Sequence, residues 1–216
     1  MIGDLIKIED IKGWIFDLDG VLTDTAIFHY KAWKKMADEE ELLFNEIINE
    51  KLRGVSRRAS LEIILDGADV SEDKIIDMME RKNNYYREML ADLTCDDILP
   101  GILPLLETLK SMGKKLAIGS ASRNTDFIVE HLKIRKYFDG IAHGGHVNRA
   151  KPAPDVFIHA AGQLGLPIDN CIVIEDAEAG VTGALRGGFR AIGVGPKDRV
   201  GHATYRFNNT KELNPQ

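Results

Sequence analysis

Two textures alternate along the chain. Gly13-Trp-Ile-Phe-Asp17, Lys115-Leu-Ala-Ile-Gly-Ser120, Cys171-Ile-Val-Ile-Glu175 and Ala191-Ile-Gly-Val-Gly195 are short apolar runs that end in a loop. Runs apolar at every position read as strands buried on both faces, the pattern of a parallel sheet. Between the later runs, residues 103–112, 125–132, 155–164 and 179–187 place apolar side chains at helical spacing. Strand–helix alternation at this spacing predicts an α/β fold with helices on both faces of a parallel sheet.

The stretch 25–93 breaks the pattern, with almost no strand-like run and many helix formers. Helices are expected over residues 28–38, 40–51, 57–65 and 71–90, and the sheet is expected to resume near Ile98-Leu-Pro-Gly101. This predicts an α/β core from residues 1–24 and 94–216, with an all-helical cap, 25–93, inserted after the first strand. An insertion directly after a strand that ends in reactive side chains is where a lid belongs.

In open α/β sheets, ligands sit outside the carboxyl ends of the strands. Three runs end in polar sets there: Asp17-Leu-Asp19-Gly20, Ser120-Ala121-Ser122, and Glu175-Asp176. Lys151, after the loop 143–149, supplies a fourth. A hard divalent cation such as magnesium takes oxygen ligands and keeps several waters. Asp17, Asp176 and the Asp19 carbonyl could hold it, with Glu175 bound directly or through water. Two aspartates two positions apart can divide labour, one attacking phosphorus and the other moving the proton. Hydroxyls and backbone N–H groups from Ser120 to Asn124 form an anion site or a plain helix cap. Lys151-Pro152-x-Pro154 fixes a charge on a stiff loop, which suits a phosphate contact.

Composition narrows the partners. Net charge is -6 and the pI about 5.6, so the overall field gives no reason to expect nucleic acid or an anionic membrane. Cys95 and Cys171 form no CxxC pair, which fits a reducing compartment. Charges among residues 1–10 argue against a signal peptide, and no apolar run approaches the roughly 20 residues of a membrane span. The expectation is a cytoplasmic protein.

Together, Asp17-Leu-Asp19-Gly20-Val-Leu-Thr23-Asp24-Thr25, the Ser120 loop, Lys151-Pro-x-Pro154 and Glu175-Asp176-x-x-x-Gly180 resemble the four motifs of the haloacid dehalogenase superfamily. The resemblance implies a Rossmann-like core and phosphoryl transfer through an aspartyl phosphate on Asp17, with Asp19 as acid and base. His29-Tyr-Lys-Ala-Trp33, Leu52-Arg-Gly-Val-Ser-Arg57-x-x-Ser60 and Arg81-Lys82-Asn-Asn-x-Tyr86 are similar to one family within it, the β-phosphoglucomutases. These interconvert β-glucose 1-phosphate and glucose 6-phosphate through β-glucose 1,6-bisphosphate. Carried over by motif, Ser120, Ala121 and Lys151 would hold the transferring phosphoryl group. Arg57, Ser122 and Asn124, with Arg123 beside them, would hold the distal phosphate. Thr25, His29, Trp33, Leu52, Gly54, Val55, Ser56, Ser60 and Lys82 would line the cap side or orient Asp19. Read without the resemblance, Trp33 and Tyr86 are packing residues and His29 is a polar position on a helix face.

The implied partners are hexose phosphates, and the implied assembly is a monomer. Two departures stand out: Arg53 and Arg123 occupy positions where the family often has lysine, and residues 196–216 resemble the family poorly. That tail is expected to stop before a closing strand and helix. A sugar-phosphate phosphatase using the same aspartate, and a non-catalytic sugar-phosphate binder, remain the alternatives.

Overall fold

The computed structural model describes residues 6–213; part of the segment read as lacking a leader, and both extreme ends of the expected core, lie outside them. Six strands form one parallel sheet: β1 (Gly13–Phe16), β2 (Lys115–Ser120), β3 (Gly140–His143), β4 (Cys171–Glu175), β5 (Arg190–Val194) and β6 (Tyr205–Phe207), in the order β3-β2-β1-β4-β5-β6. β1 sits between β2 and β4, so Phe16 pairs with both Ile118 and Ile174.

The all-apolar runs follow from covering both faces. Trp14, Phe16, Leu116, Ile118, Ile172 and Ile174 pack on one side, beneath Leu105, Leu106 and Leu109 of α5 (Ile102–Ser111) and Ile128 of α6 (Thr125–His131). Ile15, Ala117 and Val173, one residue out of phase, pack on the other, against Phe157, Ala160 and Leu164 of α7 (Asp155–Leu164) and Val181 and Ala184 of α8 (Glu178–Arg186). Adjacent strand residues face opposite ways, so a strand covered on both faces shows no polar alternation.

Four helices lie between β1 and β2: α1 (Ala26–Glu39), α2 (Glu46–Glu50), α3 (Arg57–Leu65) and α4 (Glu72–Leu90). They have their own apolar centre, built from Trp33, Met36, Leu61, Ile64, Ile75 and Met78. Serine caps start two of them: Ser56 accepts from Ala59 N–H and Ser71 from Lys74 N–H. At the base of this unit, Ala32, Tyr86 and Leu90 join the core on the α5 side of the sheet.

The structure corrects four sequence-based expectations. The helix expected over 40–51 is only α2, because Glu41 turns left-handed (φ 55°) and Asn45 caps a new start through Ile48 N–H. Phe44, between these breaks, drops into the cap centre. The sheet does not resume at Ile98, which makes one antiparallel bridge to Thr23. His143 ends strand β3, in a segment expected to be loop. The tail does close the sheet, through β6 and the short helix α9 (Lys197–Val200). Among the described residues, no helix is long and apolar enough to cross a membrane.

Candidate active site

The carboxyl ends of β1, β2 and β4 lie side by side, so Asp17, Ser120 and Glu175 meet above the middle of the sheet. Asp17 follows β1 and donates its N–H to Ile174 O at 2.9 Å. The chain then turns sharply: Leu18 O accepts from the Leu22 and Thr23 N–H groups. Gly20 is required in that turn, because its φ is +83° and a Cβ there would stand 2.4 Å from Asp176 Oδ2. Gly180 serves Glu175 in the same way, since a Cβ would overlap its carboxylate.

Lys151 is fully enclosed and donates to Asp17 Oδ1 (2.7 Å) and Glu175 Oε1 (2.6 Å). Glu175 also accepts from Ala177 N–H (2.8 Å). Burial pushes the Asp17 carboxyl well up, and Lys151 opposes that shift. Lys151 itself is raised, because its two carboxylate partners outweigh the effect of its own burial. Burial and the neighbouring Glu175 raise Asp176 to about 7.

Asp17, Glu175 and Asp176 bring carboxylate oxygens within 4.8 Å of one another, all buried. A hard divalent cation fits that all-oxygen donor set. Arg53 Nη1 (3.5 Å) and Arg199 Nη2 (3.9 Å) approach Asp176 Oδ2 from the far side.

Asp19 faces the cap, where its carboxylate accepts a hydrogen bond from the buried Thr25 hydroxyl. His29 stacks on Tyr86 with ring centroids 4.0 Å apart, and Lys82 Nζ lies 2.8 Å from its Nδ1. When Lys82 is protonated it can only donate, so Nδ1 then accepts and the ring proton is placed on Nε2, 3.9 Å from Asp19 Oδ1. Burial, then the Lys82 and Arg57 charges, hold His29 well below its usual range and keep the ring neutral. Lys82 is also lowered, by burial and then by Arg57. Burial raises Asp19, which suits a group that must both hold and release a proton.

Across the cleft, Arg57 Nη2 and Asn124 Nδ2 both donate to Asn83 Oδ1, at 2.7 and 2.9 Å. Asn124 therefore reaches the cap and leaves α6 without a side-chain cap. The Ser120 hydroxyl accepts from Ser122 N–H (3.0 Å), and the Ser122 hydroxyl from Asn124 N–H (3.2 Å). Arg57 is lowered by burial and by repulsion from Arg123. Two cations, Arg57 and Arg123, thus stand beside amides and hydroxyls that could hold an anion.

A cleft of about 630 Å³ joins these groups to Asp17. Its walls include Asp17, Asp19, His29, Trp33, Leu52, Gly54, Val55, Ser56, Arg57, Ser60, Lys82, Ser120, Ala121, Ser122, Arg123, Asn124, Lys151 and Asp176. Thr25 and Glu175 sit behind the wall, touching it through Asp19 and Lys151. Trp33 is buried in the cap centre and also lines the cleft. Tyr86 is fully buried. Sequence reasoning gave no role to Asn83 or Arg199, whose places depend on tertiary juxtaposition; Asn83 stood inside the Arg81-Lys82-Asn-Asn-x-Tyr86 match, which was its signal.

Residues 11–188 match the haloacid dehalogenase-like hydrolase family. The chain belongs to that family. Within this hydrolase family it is 41% identical to the β-phosphoglucomutase of Bacillus subtilis, over 94% of this chain and 92% of that one. It is 33% identical to a fructose-1-phosphate phosphatase of Escherichia coli, over 86% and 97%. A crystal structure of a β-phosphoglucomutase from Clostridium difficile superimposes with a TM-score of 0.91 at 40% identity, covering 94% of this chain and 93% of that one.

Proposed function

We propose that this protein is a β-phosphoglucomutase, interconverting β-glucose 1-phosphate and glucose 6-phosphate through an aspartyl phosphate on Asp17 and β-glucose 1,6-bisphosphate. One observation carries the reading: a single cleft is lined both by Asp17, Ser120 and Lys151 and by Arg57, Ser122 and Asn124, two groups that could each hold a phosphate. A substrate with phosphates at both ends needs both. The 41% identity to a β-phosphoglucomutase over nearly the whole chain supports the same choice.

The steps follow from this reading. With Asp17 phosphorylated and the distal phosphate held at Arg57, the sugar's free 6-hydroxyl faces Asp17. Asp19 takes the hydroxyl proton as that oxygen bonds to phosphorus and the bond from phosphorus to Asp17 breaks. The bisphosphate turns end for end. Asp17 then attacks the phosphorus at carbon 1, and the anomeric oxygen leaves with the proton from Asp19. Neutral His29, its tautomer fixed by Lys82, keeps an N–H donor facing Asp19. Lys151 and the Ser120 hydroxyl stabilise the charge on the transferring group. Bound by Asp17, Asp176 and the Asp19 carbonyl, with Glu175 direct or through water, magnesium would neutralise charge on the phosphoryl oxygens.

On this reading, residues 25–93 work as a cap over the core 1–24 and 94–216, and one chain completes the site without a second copy. A phosphatase would use the same core and give water access to Asp17. A coupled assay separates the two. β-Glucose 1-phosphate with a trace of bisphosphate should give glucose 6-phosphate, whereas release of phosphate in its place would refute the mutase reading.

A further inference from the structure

Glu50 ends α2 in the cap, and Arg199 lies in α9, beyond β5 in the body. Arg199 Nη1 is 3.2 Å from Glu50 Oε1, a contact spanning 149 positions of sequence and crossing from cap to body. The same carboxylate holds Arg53 at 3.0 Å, and Arg53 reaches over to Asp176 at 3.5 Å. Arg199 Nε is buried without a partner. The Arg199 guanidinium therefore has one close anchor, Glu50, with Asp176 more distant at 3.9 Å. Both arginines oppose the rise of the Asp176 carboxyl and help lower Glu50. Two further polar contacts cross from cap to body at the cleft, Arg53–Asp176 and Asn83–Asn124. Glu50 also holds Arg53, so the Glu50–Arg199 pair and the Arg53–Asp176 contact lie together beside Asp176.

We propose that Glu50 and Arg199 form an ionic latch that holds the cap shut over Asp17, and so limits how often its phosphoryl group meets water. This builds on the mutase reading, because a mutase must keep its aspartyl phosphate from hydrolysis while a sugar bisphosphate turns beside it. Neither residue touches the reacting atoms. They are positioning residues acting through the cap. A partly exposed ion pair shifts an open–closed equilibrium by no more than about fivefold, which lets the cap still open for exchange. Removing that pair raises the open fraction, and with it hydrolysis; when it is broken at Glu50, both arginines stay beside Asp176 and the chemistry at Asp17 is left as it was.

The test uses Glu50→Gln, Arg199→Gln and the double variant in the full chain. Small-angle scattering of the unliganded protein should show expansion in each single variant, and the double should match the singles rather than exceed them. Phosphate released per turnover should rise about twofold to fivefold in all three. Initial phosphorylation of Asp17 by a small acyl phosphate should stay unchanged in Glu50→Gln, which leaves both arginines beside Asp176. Raising salt should expand the natural protein toward the variants and move the variants less, since they keep only the Arg53–Asp176 pair across the same side. Unchanged scattering in the singles, or an additive double variant, would overturn the latch. If the natural protein releases phosphate and makes no glucose 6-phosphate, the mutase reading fails while the scattering comparison still decides the latch.

Discussion

Lys151 Nζ stands 2.7 Å from Asp17 Oδ1 at the enclosed end of the cleft. The ammonium pairs with the Asp17 carboxylate, and on the mutase reading it lies where charge grows on the transferring phosphoryl group. Replacing Lys151 by Met should slow phosphorylation of Asp17 by about 10²–10³, the usual loss when one transition-state donor is removed. It also leaves Asp17 and Glu175 buried without their counter-charge, which costs about 3–5 kcal/mol of stability. Rapid-quench labelling and a chemical denaturation curve check the two effects separately.

The Asp176 carboxyl, raised from 3.8 to about 7, would make metal binding there depend on pH. Its folded value lies above its unfolded one, so the folded state binds the extra proton between pH 3.8 and about 7. Stability contributed by this group therefore falls as pH rises through that window. Asp17, also raised, acts with the same sign. Magnesium should add more to the melting temperature at pH 8 than at pH 5.5, and its affinity should weaken below pH 7 by up to about tenfold per unit for one displaced proton. Calorimetry at several pH values checks this; pH-independent affinity would remove Asp176 from the ligand set.

Asp19→Asn should cut isomerisation by about 10²–10⁴, the range for loss of a positioned acid and base. Phosphorylation of Asp17 by an acyl phosphate should suffer much less, because that leaving group departs without a proton. Parallel measurement of the two rates reads the difference. Equal losses would mean that Asp19 acts by holding the turn or the metal.

His29 should remain neutral, with its proton on Nε2, well below pH 6.5, because burial and then Lys82 and Arg57 depress it. Lys82→Met should move its titration part of the way back toward 6.5, since burial, the larger cause, persists. Nitrogen-15 spectra of the imidazole report both charge and tautomer.

Arg57→Ala should lower mutase turnover at least about tenfold, since hydrogen bonds to a charged group contribute about 1.5–3 kcal/mol. Asp17 should still be phosphorylated by small donors that have no distal phosphate. A matched loss in both reactions would place Arg57 in cap folding through its 2.7 Å bond to Asn83.

The chemical end of the cleft was legible in the sequence because each group sits just after a buried strand or on a stiff loop. Asp17, Ser120 and Glu175 could be placed by their strands alone, and the parallel sheet brings them together. What escaped was either too short or too dependent on distance. Gly140-Ile-Ala-His143 and Tyr205-Arg-Phe207 have too few apolar positions to announce a strand, and pairing with β2 and β5 makes them so. Helix formers filled residues 40–51, yet Glu41 and Asn45 break them and Phe44 is buried in the cap centre. Asn83 and Arg199 look like ordinary surface positions until the cap lies over the body, where they meet Arg57, Asn124 and Glu50.

The central claim is that the phosphoryl group travels on Asp17. The direct measurement is to quench the enzyme during turnover of β-glucose 1,6-bisphosphate and map the modified peptide by mass spectrometry. One added phosphoryl group should appear on Asp17, form and decay fast enough to account for turnover, and vanish in Asp17→Asn together with the activity. Glucose 6-phosphate formed with no label on Asp17, or undiminished turnover by Asp17→Asn, would contradict the account.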